Sequence, residues 1–296
     1  MDLALGILAG LLVAATPLIF AALGELVVER SGVLNLGVEG MMVVGAIAGF
    51  VGTFTTGSYV VGFASAMLAS AAMAGLFGVL TLWLMSNQVA TGLALTMFGL
   101  GVSALVGQQY SGRTTGAFPR LDAIGLKGLD IMCLLALASG AAISWWLART
   151  RSGLILRAVG DNHDAAHAIG YPVRRVRFLA VLFGGAMAGL GGAYLSLVQT
   201  PFWAEKMTAG RGWIALALVV FASWLPSRVL AGAILFGGIT ILQLHSQAVG
   251  LRIDAQLLSM LPYLATIAVL VAISREGLSR RRGAPASLGK PFYPSG

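Results

Sequence analysis

Charge is what this chain has least of. Asp, Glu, Lys and Arg make up 10% of its 296 residues, against roughly a quarter in an average soluble domain. A soluble globular fold is excluded, because its surface would have too little to hold it in water. Cysteine is almost missing as well. The single Cys133 lies in an apolar run, which excludes a disulfide framework and a cysteine metal cluster; it reads as a small packed or lipid-facing residue. Low-complexity tracts and visible internal repeats are lacking too. The chain has no GxxxxGK[ST] phosphate loop, no GxSxG nucleophile elbow, no kinase motif set and no paired carboxylates in a polar cleft. It is therefore expected not to be an enzyme and to bind no cofactor or metal of its own.

What the chain has is apolar length. Its mean hydropathy is +0.89 and its hydrophobic fraction 58%. Its 40 glycines suit membrane helices, where small residues let backbones approach closely. A span needs about 20 apolar residues, and by that measure spans are expected near 3–23, 32–54, 59–85, 88–107, 129–148, 178–199, 211–223, 229–247 and 257–273. The expected fold is an all-α polytopic membrane protein with about nine (eight to ten) transmembrane helices. The seventh run is too short to cross straight, so it is either a half-helix or borrows residues from Trp203 to Gly210. The first run has no basic n-region or cleavage site and reads as a retained span.

The net charge of +8 owes most to arginines concentrated in residues 149–177 and in the tail from Arg275 to Lys290. The positive-inside rule places both in the cytoplasm, and the four spans between them return the chain to the same side. A nucleic-acid partner is excluded, since no water-soluble basic face exists to bind one. Counting backwards puts the loop 108–128 outside and the N-terminus outside; Glu25, Glu29 and Arg30 add little charge bias, and a broken second span would invert that end. The expected organisation is a membrane domain over 1–273, containing the cytoplasmic loop 149–177, and a disordered cytoplasmic tail over 274–296.

Within that loop, Gly153 to Pro172 contains a short helix candidate. Asp161 or Asn162 is its N-cap, Asp164 lies in its first turn, and Gly170 with Pro172 stops it. Ala165, Ala166, Ala168 and Ile169 give it a small apolar surface. It either inserts as a knob into a partner's groove or lies on lipid headgroups. His163 and His167 share a face at i and i+4; without a third ligand they read as solvated or partner-facing. In the second span, Asn35 and Glu39 share a face about two turns in. An ionisable residue in a span is a functional candidate, so Glu39 either belongs to a transport path or bonds a neighbouring helix. Glu39 is the sole carboxylate read as lying well inside an apolar stretch. Asn87 and Thr91 share a face at the start of the fourth span and either bind a polar solute or, in Asn87 or Ser86, cap the helix. Gly185 and Gly189 form a GxxxG pair, which packs inside the chain or at a subunit interface.

Four stretches carry a resemblance: ERSGVLNLGVEGMM from Glu29, NQVATGLALTMFGLG from Asn87, GLILRAVGDNHDAAHAIGYPVRRVR from Gly153, and AGLGGAYLSL from Ala188. Together they resemble the permease subunits of bacterial ABC importers for branched-chain amino acids, ribose and simple sugars, in the nucleoside-type subgroup. The resemblance implies a type II-like importer half in the bacterial cytoplasmic (inner) membrane, with its C-terminus cytoplasmic. Gly160, Asp161, Asn162, Asp164, Ala165, Ala166, Ile169 and Gly170 match the family's coupling helix, which docks on a separate ATPase. It further implies a second, longer permease and an extracytoplasmic binding protein or lipoprotein as partners, besides membrane lipid, with ATP and Mg²⁺ held by the ATPase. Asn35, Glu39, Asn87, Gln88 and Thr91 are then the candidate path for a nucleoside or simple sugar. The alternative is a stand-alone secondary transporter or channel in which Glu39 carries a proton, although proton coupling should leave more than one buried carboxylate.

Overall fold

The computed structural model describes residues 2–122, 128–248 and 283–293, with the single positions 260, 264, 267 and 271 between them. The described residues form α1 (Asp2–Arg30), α2 (Val38–Thr56), α3 (Tyr59–Gly78, continued by a π turn to Trp83) and α4 (Gln88–Gly107, continued by a 3₁₀ turn to Tyr110). There follow α5 (Ile131–Arg149), α6 (Arg151–Asp161), α7 (His163–Ala168), α8 (Val173–Tyr194, with a π turn to Gln199), α9 (Arg211–Phe221) and α10 (Pro226–Ala248). Six of these, α1 to α5 and α8, are long and apolar enough to cross a membrane; α9 is a shorter apolar helix, and α10 is apolar over Pro226–Leu242. Among the described residues there are two isolated bridges and no strand. The ninth expected span, 257–273, falls outside the described residues apart from positions 260, 264, 267 and 271.

The core is built by α1, α2, α3 and α8 packing on one another. Glycine sets how closely they pack. A methyl group on Gly189 would run into the Ser70 side chain and the Ala66 carbonyl of α3, and one on Gly45 of α2 would meet the Gly189 backbone. The GxxxG pair is thus consumed inside the chain, with Gly185 against Ala74 and Ser70. Where lipid offers no hydrophobic drive between helices, such close backbone contact supplies the van der Waals attraction.

Pro17 does not break α1. A proline leaves the carbonyl four residues earlier without its helical donor; here that is Val13, whose oxygen accepts from Gln199 Nε2 at 3.4 Å. A neighbouring helix thus re-satisfies the freed group. Cys133 is packed (1% exposed), with Thr16 and Tyr194 hydroxyls each 3.2 Å from its sulfur.

One expected span starts later than the sequence suggested, and another takes the shorter of its two expected forms. The second helix begins at Val38 rather than Gly32, because the Asn35 side chain accepts the Gly37 N–H at 3.0 Å and bends the chain before the helix can start. Glu39 therefore lies in the first turn of α2, not two turns in. The seventh span is a half-helix: α9 covers 11 residues, about 16 Å at 1.5 Å per residue, roughly half of a 30 Å hydrocarbon core. Residues 203–210 lead into it without helix.

A candidate coupling site joined to a broken-helix passage

The polar loop folds as two helices. Thr150 caps α6 by accepting the Gly153 N–H at 3.2 Å, and Leu156, Val159 and Gly160 recur at helical spacing on its buried face. Asn162, rather than Asp161, caps α7: its Oδ1 accepts the Ala165 N–H at 3.0 Å. Gly170 ends α7 with φ of +92°. The Tyr171 N–H reaches the Ala166 carbonyl at 3.0 Å and the Gly170 N–H the His167 carbonyl at 2.8 Å, the paired bonds of a Schellman stop that needs a left-handed residue there.

The eight coupling candidates divide by burial. Asp161, Asn162, Asp164, Ala165, Ile169 and Gly170 are exposed, Ile169 at 73%. Gly160 and Ala166 face inward. A Cβ on Gly160 would collide with the Arg30 carbonyl at the end of α1, and Ala166 packs with Val159, Val173 and Phe292. The loop therefore offers a small exposed knob whose other side rests on the C-terminal end of α1.

Beneath the knob sits Arg177, fully buried although sequence reading gave it only a topological role. Its guanidinium donates to the Ser31 carbonyl at 3.1 Å and the Lys290 carbonyl at 3.1 Å, and lies 3.0 Å from His163 Nδ1. His163 is correspondingly buried (8% exposed), where the sequence reading expected a solvated or partner-facing residue. Burial, reinforced by Arg177 and Lys290, lowers its pKa below the usual 6.5, while Asp164 opposes the shift. The tail was expected to be disordered, yet residues 283–293 pack here. Ser287 N–H donates to the Gly160 carbonyl at 2.9 Å and Gly289 N–H to the Gly32 carbonyl at 3.1 Å, and Phe292 is buried against His163 and His167. Two apolar anchors, Leu288 and Phe292, among glycines and prolines left no periodicity from which this could be read.

From Ser31 the chain runs inward as a non-helical passage to Val38. Its backbone groups are met by side chains from other helices. Leu34 N–H donates to Gln88 Oε1 (2.8 Å), Asn35 N–H to Glu25 Oε1 (3.2 Å), and Thr96 Oγ1 donates to the Leu36 carbonyl (3.1 Å). Unwound backbone buried inside an apolar helix bundle survives only with such partners. At its inner end Glu39, 4% exposed, accepts from Thr208 Oγ1 (2.5 Å), Gly210 N–H (2.9 Å) and Gly212 N–H (2.6 Å). A carboxylate thus closes the start of α9, where orphan N–H groups and the helix dipole favour negative charge.

The structure accordingly brings Asn35 and Gln88 together on the passage and turns Glu39 to α9. Asn87 is exposed and caps α4, accepting the Ala90 N–H at 3.0 Å; Thr91 is 2.8 Å from Ser86 Oγ. Asn35 Nδ2 lies 3.4 Å from Met41 Sδ. Sequence reading missed Glu25 and Glu29, which are 1% and 0% exposed, so Glu39 is not alone among buried carboxylates. Glu29 accepts from Trp224 Nε1 at 2.5 Å, while Arg30 donates to the Trp224 carbonyl at 2.9 Å, fixing the far end of α9 to the end of α1. At the other end of α4 a cavity of about 520 Å³ lies among Gln108, Ser111, Phe202, Trp203 and Glu205.

Residues 7–270 match the family described as the branched-chain amino acid transport system permease component. The chain is 40% identical to a provisionally named glucose ABC transporter permease protein of Haloferax volcanii, covering 97% of each chain. It is 32% identical to a guanosine ABC transporter permease protein of Bacillus subtilis (94% and 95% covered) and 33% identical to a nucleoside ABC transporter permease protein of Lactococcus lactis (89% and 90% covered). With a match over nearly its whole length, the chain belongs to the branched-chain amino acid transport system permease family, as a multi-pass membrane permease of the ABC type.

Proposed function

We propose that the chain is one half of the translocation pathway of an ATP-driven importer for a small neutral polar solute, a nucleoside or simple sugar. A separate ATPase docks on the exposed side of α7, a second permease completes the pathway, and an extracytoplasmic binding protein or lipoprotein delivers the solute. The observation that carries this reading is the joint between knob and passage. Gly160 lies against the Arg30 carbonyl at the end of α1, and the passage begins one residue later.

In this account ATP-driven closure of the ATPases pushes α7, and α1 and α8 move with it. The passage from Ser31 to Gly37 is displaced against α4, uncovering Asn35 and Gln88, which together supply donors and acceptors for a hydroxylated solute. Glu39 holds α9 in place as the passage moves. Midplane breaks of this kind are where other transporters place solute and moving parts. The cavity at Trp203 and Gln108 has a size and an aromatic-polar lining suited to a small solute entering from the outer face. Buried Glu25 and Glu29 remove one objection to a stand-alone proton-coupled carrier, but the ABC permease relatives favour the ATP-driven reading. Reconstitution of both permeases, the ATPase and the binding protein in proteoliposomes tests it. ATP-dependent uptake of guanosine or glucose is expected; uptake by this chain alone, driven by a proton gradient, would reject it.

A further inference from the structure

The tail segment 283–293 contacts α6, α7, α8 and the mouth of the passage just after α1. Ser287 bridges the break between α6 and α7: its N–H donates to the Gly160 carbonyl at 2.9 Å, its hydroxyl lies 3.4 Å from the Asp161 carbonyl, and it accepts the His163 N–H at 3.4 Å. Gly289 N–H bonds the Gly32 carbonyl at the mouth of the passage, and the Lys290 carbonyl accepts from Arg177 of α8. Phe292, 6% exposed, meets His163 and His167 edge-on with ring centroids 5.4 and 5.2 Å away, and packs against Val159, Ala166 and Val173.

Alpha-helical turns as short as α7, six residues, do not hold together on their own. The inward side of α7 offers chiefly the Ala166 methyl and two imidazoles, so its apolar bulk comes from Phe292. Without that ring a force on the exposed side would bend α7 against α6 instead of displacing α1 and α8.

We propose that residues 283–293 are a strap that makes α7, the α1–α2 junction and α8 one mechanical body, with Phe292 and Ser287 as positioning residues for coupling. This rests on the reading of α7 as the ATPase dock. The strap touches neither solute nor nucleotide; it acts through α7. Its function is to fix how much of each ATPase stroke reaches the passage.

The test uses the reconstituted full importer and compares solute moved per ATP hydrolysed in the wild-type chain, Phe292→Ala, Phe292→Tyr and Ser287→Ala. For Phe292→Ala the ratio is expected to fall on the order of tenfold, with ATPase co-purification and the KM for solute unchanged, and Phe292→Tyr is expected to restore it. Ser287→Ala is expected to lower the ratio by a smaller factor. A wild-type ratio in both Phe292→Ala and Ser287→Ala overturns the strap. Should Phe292→Ala fail to assemble, Ser287→Ala alone decides, and an unchanged ratio again overturns it. Absence of ATP-dependent uptake in the wild-type importer would instead count against the functional reading beneath it.

Discussion

Glu39 Oε2 accepts the backbone N–H of Gly212 at 2.6 Å, joining the first turn of α2 to the first turn of a helix 173 residues further along the chain. Two helices that both begin inside the bundle therefore meet at one carboxylate. Since its other oxygen takes Thr208 and Gly210, both oxygens are committed to holding α9. The acidic residue that drew attention in the sequence fixes the geometry around the passage.

Glu39→Gln replaces one acceptor oxygen with an N–H₂ group facing backbone donors. A buried donor left without its partner costs about 1–3 kcal/mol. ATP-driven uptake is expected to fall at least about tenfold, while the chain still inserts and still co-purifies with its ATPase. Wild-type uptake in Glu39→Gln would show that α9 does not need this carboxylate.

Asn87 offers a test between capping and solute contact. If its main work is to cap α4, Asn87→Ala costs about 1 kcal/mol of helix stability and Asn87→Ser or Asn87→Asp largely restores it. Uptake and thermal stability are expected to fall and recover together across the three variants. Loss of uptake in all three, with stability unchanged, would place the side chain in contact with solute instead.

The burial of His163 has a pH signature. Its pKa is lowered by burial first and by Arg177 second, with Lys290 adding to the shift and Asp164 opposing it, so the packed state favours neutral imidazole. Above the ordinary value of about 6.5 the packing is at full strength. As pH falls through that value the unpacked state takes up the proton first, and packing weakens. Hydrogen exchange at the Ser287 and Gly289 amides, corrected for intrinsic rates, is expected to quicken between pH 7.5 and 5, and to lose that extra dependence in His163→Gln. Equal protection at both pH values in the wild type would exclude the linkage.

Helix contact through glycine is equally checkable. Gly189→Leu pushes a side chain into the backbone of α3 and should abolish recovery of folded protein, because small-residue contacts are what hold membrane helices together. Gly101→Leu, at a position with nothing near its Cβ, should be tolerated. Equal recovery of both would contradict the packing described.

What the sequence made legible was whatever local chemistry decides. The helix signals at Asn162 and Gly170, the small-residue pair at Gly185 and Gly189, and the length of the apolar runs all have their causes within a few residues. The remainder depends on partners distant in sequence. Arg177 is buried because Ser31, His163 and Lys290 converge on it, and the Val38 start of α2 depends on Gln88, Glu25 and Thr96 accommodating an unwound segment. Phe292 packs because Val159, Ala166 and Val173 meet the two imidazoles of α7 around it. Glu25 and Glu29 read as weak topological markers beside Arg30, and only Asn35 and Trp224, reached through the fold, show them to be internal.

The central claim is that an ATPase seats on the exposed side of α7. A photo-crosslinking amino acid placed at Ile169, 73% exposed, with a control at Gly101, measures it directly when the crosslinked product in native membranes is identified by mass spectrometry. The account predicts a covalent adduct from position 169 to a phosphate-loop ATPase, absent from position 101. Adducts from position 169 to lipid alone would contradict it.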